Sequence, residues 1–165
     1  MGGGAYLNPQ SYEKEYVLSI VDLDSRNVTL TEVSFLPHGI HRKPSDTNRL
    51  AIFEKKGKGA FEYDLKERKV VRYIPVVEGR KFYGHGAYSI DGKFLYSTET
   101  TIKTGDGLIA IRDAKTLDLL GEFPSYGKEP HECKLINNGK TMIVTNGGGV
   151  LNGEPPNVAY IDVLS

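Results

Sequence analysis

Apolar and polar residues alternate along most of this chain in short runs broken by Asp, Asn and Gly. A period of two is the pattern of strands with one face buried, and it excludes the three-to-four spacing of amphipathic helices. One alternating segment that ends in Asp recurs four times, as Val17–Asp22, Gly59–Asp64, Leu108–Asp113 and Asn157–Asp162. Its aspartates are spaced 42, 49 and 49 residues apart. Asp accepts hydrogen bonds from backbone N–H groups two residues on, so it suits the end of a strand. Polar connections follow the first three copies and lead into strands at residues 28–35, 70–76 and 119–123.

A second hairpin type carries Asp91-Gly92 at its turn and returns with Asn137-Asn138-Gly139, and a weaker copy uses residues 45–48. Asp-Gly and Asn-Gly are strong hairpin signals because both residues tolerate positive φ. Together the two hairpins make a four-stranded antiparallel unit, strands A to D, repeating every ~47 residues, within the roughly 40–50 residues of a propeller blade. The expected fold is therefore all-β, a partial β-propeller of a little over three blades and about thirteen strands. The predicted division is strands C and D of a first blade at residues 15–35, a second blade at 36–76, a third at 83–124, and strands A to C of an incomplete blade at 130–165. The glycine-rich start, Gly2-Gly3-Gly4, is too flexible to be scored as structure. An arc this short exposes unpaired blade faces. Self-association into a ring, or a second chain that completes one, is the expected partner; truncation of a longer chain gives the same arc.

Composition narrows the function. Lys plus Arg and Asp plus Glu number 21 each, so the chain lacks the positive excess of a nucleic-acid binder. The single cysteine, Cys133, excludes an internal disulfide and a cysteine zinc site, and its apolar neighbours suit an inert buried thiol. No apolar run reaches the ~20 residues of a membrane-spanning helix. The start lacks the regions of a signal peptide, which for the chain as given predicts a cytoplasmic location. Gly147-Gly148-Gly149 reads as a flexible loop, since no Gly-Lys-Ser/Thr or helix follows it to cradle phosphate.

The informative chemistry is histidine. His38, His85 and His131 recur 47 and 46 residues apart, each at the start of a strand A, with His41 just after the first. Strand A is innermost in a blade, so these positions lie at the rim of the central channel. Strand B returns to the same face with Glu54, Glu99 and Asn146, which follow the three histidines by 16, 14 and 15 residues. The expected site is a funnel whose metal ligands are His38, His85, His131 and Glu99. His41, Glu54, Asn146 and Arg80 are further lining candidates. Neutral imidazole suits Zn, Cu or Fe, and a carboxylate can ligate or orient a histidine. A small anion is the other ligand class, with Arg80 as its attractant. The bland alternative is that each imidazole hydrogen-bonds between blades and staples them.

The segments 81–99, Gly121-Glu122-Phe123-Pro124-Ser125, 127–132 and Thr145-Asn146-Gly147-Gly148 resemble the bacterial exported propellers of domain-of-unknown-function family 1513. The resemblance runs from about residue 3 to 162 and implies that the chain matches the N-terminal half of a seven-bladed ring. It also implies a periplasmic or exported location for complete members, often encoded beside imelysin-like iron-uptake proteins. His38, His85, His131, Glu99 and Asn146 match the family's pattern, while His41 is additional. Three functions fit: a binding or scaffold protein with a metal- or anion-binding funnel, a metal-dependent hydrolase or lactonase-like enzyme, and a purely structural module or nonfunctional truncated product. No complete catalytic signature is present, and no residue is assigned a catalytic role.

Overall fold

The computed structural model describes residues 1–148 and 154–163. Four antiparallel sheets follow one another along the chain like propeller blades. The first holds β1 (Gly2–Leu7), β2 (Lys14–Val21) and β3 (Val28–Val33). The second holds β4 (Pro37–Lys43), β5 (Asp46–Glu54), β6 (Ala60–Asp64) and β7 (Lys69–Tyr73). The third holds β8 (Arg80–Tyr88), β9 (Phe94–Thr101), β10 (Asp106–Asp113) and β11 (Leu119–Lys128). The fourth holds β12 (Pro130–Ile136), β13 (Thr141–Asn146) and β14 (Asn157–Asp162). Within each sheet consecutive strands pair in order. A 3₁₀ turn at Asn137–Gly139 is the one helical element among the described residues. Consequently no helix there is long and apolar enough to cross a membrane.

The Asp-ended repeat forms for the reason its chemistry suggests. Asp22 Oδ1 accepts from the N–H groups of Asp24 and Ser25, at 3.1 and 2.8 Å. Asp64 Oδ1 does so from Lys66 and Glu67, both at 2.9 Å. Asp113 Oδ1 completes the series with Lys115 and Thr116, at 2.7 and 2.8 Å. In each turn the fourth residue after the Asp has a left-handed backbone: Arg26, Arg68 and Leu117, at φ 60°, 53° and 69°. These backbone bonds hold all three carboxyls below the usual carboxylate range. The Asn137-Asn138-Gly139 turn likewise places all three residues at positive φ.

One strand more than the turn pattern predicts is present, fourteen among the described residues. The extra strand is β1, formed by the glycine-rich start. Glycine is used there for proximity: a Cβ on Gly3 would overlap the Pro37 carbonyl of the next sheet. A tertiary contact of this kind leaves no trace in local propensity.

Three apolar layers bind the four sheets. Leu18, Phe35, Leu50, Ile52, Phe61 and Tyr63 fill the gap between the first and second. Ala51, Phe53, Phe82, Tyr88, Leu95 and Leu117 fill the next. Tyr96, Ile109, Cys133, Met142, Val144 and Ile161 fill the last. Leu50 and Ile52 of β5 point one way and Ala51 and Phe53 the other, so this inner sheet is buried on both faces. Cys133 is fully buried, and burial pushes its thiol pKa up, which keeps it protonated. The innermost strands β4, β8 and β12 lie side by side.

Candidate functional site

Each repeated histidine occupies a β-bulge. In the second sheet the register steps from Pro37↔Glu54 to Gly39↔Phe53, which leaves His38 without a partner. In the third it steps from Phe82↔Glu99 to Gly86↔Ser97 around His85, and in the fourth from Pro130↔Asn146 to Glu132↔Thr145 around His131. A bulge re-aims a side chain out of the alternation. The same registers explain where the strand B residues go. Cross-strand partners point to the same side of a sheet, and Pro37, Phe82 and Pro130 are buried. Glu54, Glu99 and Asn146 therefore turn with them, away from the bulged imidazoles.

The histidines do converge. Ring centroids of His38 and His85 are 4.7 Å apart, of His85 and His131 5.0 Å, and of His38 and His131 5.7 Å. One ligating atom from each of the three lies within 4.8 Å of the others, and the same holds for His41, His85 and Glu132. Two glycines make the approach feasible. Gly84, at φ 109°, brings the backbone of β8 past the His38 ring, where a Cβ would stand 2.8 Å from Cδ2. A Cβ on Gly39 would overlap the carbonyl oxygen of Gly84. Thr98, the residue skipped opposite the His85 bulge, braces it: its hydroxyl donates to the His85 carbonyl at 2.9 Å and accepts from the His85 N–H at 3.3 Å.

Burial, and then the adjacent His85, hold the imidazoles of His38 and His131 below the ordinary histidine pKa. Burial lowers His41 further, to about 4. All three are neutral at pH 7 and keep a lone pair for a ligand or hydrogen bond. Nε2 of His38 is buried without a hydrogen-bond partner among the described residues. Nδ1 of His85 lies 3.1 Å from Oε2 of Glu132, out of line for a full hydrogen bond. Burial would raise the Glu132 carboxyl, but its contact with His85 and the nearby imidazoles outweigh this and leave it low. His41 is committed elsewhere, since its Nε2 accepts from the Gly86 N–H at 3.0 Å and joins β4 to β8. For that residue the stapling role is observed.

The remaining candidates are engaged outside these clusters. Glu99 is fully buried, with Oε1 2.7 Å from Arg112 Nη2 and 3.0 Å from the Ser97 hydroxyl that donates to it. Arg112 also donates to Ser97 Oγ at 2.6 Å and to the Pro75 carbonyl at 3.0 Å. Arg80 forks onto Glu122 at 2.6 and 2.8 Å and stands 3.8 Å from Glu99. That bond to Glu122 raises its pKa further and occupies the charge expected to attract an anion. Glu54 Oε2 accepts from the Gly59 N–H at 2.8 Å. Asn146 accepts from Ser125 Oγ at 2.7 Å and donates to the Ser125 carbonyl and Asn157 Oδ1, both at 2.9 Å. The Gly147–Gly149 loop reaches Gly149, which lies outside the described residues, as do Leu164 and Ser165 of the last predicted blade.

Sequence reasoning passed over Glu132 and Arg112. Glu132 stands where the first two repeats have Gly39 and Gly86, so the break in the repeat was its signal. Arg112 stands where the other copies of its strand carry Val21, Tyr63 and Ile161, a charge in an apolar slot.

A family model described as "Protein of unknown function (DUF1513)" matches residues 32–157. The chain belongs to the DUF1513 family. The matched segment includes all four histidines, Glu99 and Glu132. A search of curated proteins gives no match. Among solved structures, this DUF1513 chain is similar to "Kuenenia stuttgartiensis Hydrazine Synthase", at 16% identity and a TM-score of 0.74. The likeness covers 97% of the present chain and 45% of the other, and at this identity it speaks for the fold alone. The chain thus spans under half the length of that similar chain.

Proposed function

We propose that this protein binds a transition-metal ion, Zn, Cu or Fe, through His38, His85 and His131, as a binding or scaffold domain. The observation that carries the reading is the convergence of three imidazoles, one with a buried, unpartnered Nε2. The donor set fits such an ion: around a tetrahedral centre with Zn–N near 2.1 Å, ligand nitrogens stand ~3.4 Å apart. Rotamer adjustments would close the present cluster to that spacing. Glu132 is the natural orienting carboxylate for His85, while Glu99, paired with the buried Arg112, stands apart from the ligands. A hydrolytic function is the second reading. Three imidazoles leave a fourth coordination position open, and the Glu132 carboxylate beside them could accept a proton.

The test is titration of metal-free protein with Zn²⁺ and with Cu²⁺, followed by calorimetry and metal analysis. About one ion per chain is expected, and His85→Ala/His131→Ala should weaken it by ~100-fold or more. Equal binding by the double variant would overturn the site.

The two end sheets support a further part of the reading, that other blades complete the ring. Val28 and Leu30 of the first sheet are each 60% exposed, and Val158 and Tyr160 of the last are 53% and 69% exposed. The positions equivalent to Val158 in the other three sheets, Leu18, Ala60 and Ile109, are buried in apolar layers. A second copy or a separate chain of similar blades would cover these faces.

A further inference from the structure

At the opposite end of the second sheet from the histidines, a cleft of about 390 Å³ opens between this blade and the β10–β11 turn of the third. The separation follows from the register: β4 and β5 pair Pro37 with Glu54 at the histidine end and Lys43 with Asp46 at the far end. Four cations line the cleft, Lys43, Arg49, Arg72 and Lys115, against two carboxylates, Asp46 and Glu62. Among these lining residues the excess is two positive charges, of which Arg49 is partly countered by the nearby Asp64.

The cleft also holds hydrogen-bonding capacity that the fold does not use. The Glu62 side chain is only 3% exposed; its Oε2 accepts from Arg72 Nε at 2.6 Å, while its Oε1 is buried with no partner. Arg49 reaches Asp64 at 3.2 Å through Nη2, and its Nη1 is likewise buried and unpartnered. The Tyr88 hydroxyl is buried beside Glu62, and that carboxylate adds to the rise in its pKa that burial causes. Buried polar groups are nearly always satisfied, and an unmade bond to a charged group is costly. Here an unused donor on Arg49 and an unused acceptor on Glu62 belong to side chains that line one positively charged cleft.

We infer that this cleft is a binding site for a small oxyanion that carries its own hydrogen-bond donor, such as an α-hydroxycarboxylate or a hydrogen phosphate. The anionic oxygens accept from Arg49 Nη1 and sit among Lys43, Lys115 and Arg72, and the ligand's O–H donates to Glu62 Oε1. Neither half suffices alone: a plain anion leaves Glu62 repelling it, and a neutral alcohol leaves the cationic excess unmet. The inference is independent of the metal reading, because the two sites share no residue.

Paired titrations followed by NMR or calorimetry at neutral pH test it, using glycolate against acetate and hydrogen phosphate against sulfate. Saturable binding with a Kd on the order of 1 mM or tighter is expected for at least one donor-bearing member, at least about tenfold tighter than its donor-free counterpart. Whichever pair responds identifies the ligand's source. Arg49→Gln should weaken that binding about tenfold or more, as loss of a charge-assisted bond does. If that variant does not fold, exposed Lys115→Ala should weaken it several-fold. His85→Ala/His131→Ala should leave it unchanged. No saturation by ~20 mM of any probe, equal affinity for acetate and glycolate and for sulfate and phosphate, or no effect of the cleft variants would overturn the inference. Ordered water would then be what satisfies the cleft.

Discussion

His41 shows how one residue couples burial to pH. Its folded-state pKa is lowered from 6.5 to about 4, chiefly by burial. Between those values the unfolded chain takes up a proton that the folded chain refuses, so stability falls as the pH falls. The contribution is fully present above about pH 6.5 and lost as pH approaches 4, to a total on the order of 3 kcal/mol. His38 and His131 shift the same way and add to the slope. His41→Gln keeps a side-chain acceptor for the Gly86 N–H and removes the titration. Urea unfolding at neutral pH and at mildly acidic pH should therefore show a steeper acid loss for the wild type than for this variant. Equal losses would show that His41 is not the sensor. Glu99 makes a related point. Its sequence position beside the histidines is real, but a fully buried carboxylate needs a charge partner, and Arg112 at 2.7 Å supplies it.

At the scale of elements, the innermost strands combine bulge and glycine. The bulges at His38, His85 and His131 turn the imidazoles to one place, and the glycines let the strands that carry them approach. Gly39→Ala would drive a methyl group into the Gly84 carbonyl and within 2.9 Å of His41 Nε2. Both β4 and β8 would have to shift, with an expected destabilisation of about 1–3 kcal/mol. Weaker metal uptake should accompany it. Gly121 of β11 is the control, since nothing lies within 4 Å of an added Cβ. Gly121→Ala should change stability by no more than ~0.5 kcal/mol. Chemical denaturation of the pair checks both expectations, and equal stability of the two variants would remove the close-approach account.

For the whole molecule, the end sheets decide what the chain does in solution. Exposed Val28, Leu30, Val158 and Tyr160 sit on sheets whose opposite faces are packed. Sedimentation should find the chain associated at micromolar concentration, and Leu30→Lys/Tyr160→Lys should shift it towards monomer. Charged residues on an apolar sheet face are the natural barrier to such pairing. A wild-type monomer across that range would count against ring completion by self-association.

Local chemistry carries through the sequence for the strands, because alternation sets which face is buried and Asp, Asn and Gly mark the turns. The repeat of His38, His85 and His131 was legible for the same reason: equivalent positions in equivalent blades are brought together by the fold's own symmetry. What period-two reasoning could not deliver was the direction of each side chain at a register shift. Extra residues, two in β8 and one in β12, turn the His out of the alternation and leave Glu99 and Asn146 facing away from it. The choice of Arg112 as Glu99's partner, the use of Gly3 to seat β1 against Pro37, and the meeting of Arg49 with Glu62 at one cleft are tertiary decisions as well. Each depends on what a neighbouring strand or blade places within a few ångströms, a fact absent from any single segment of the chain.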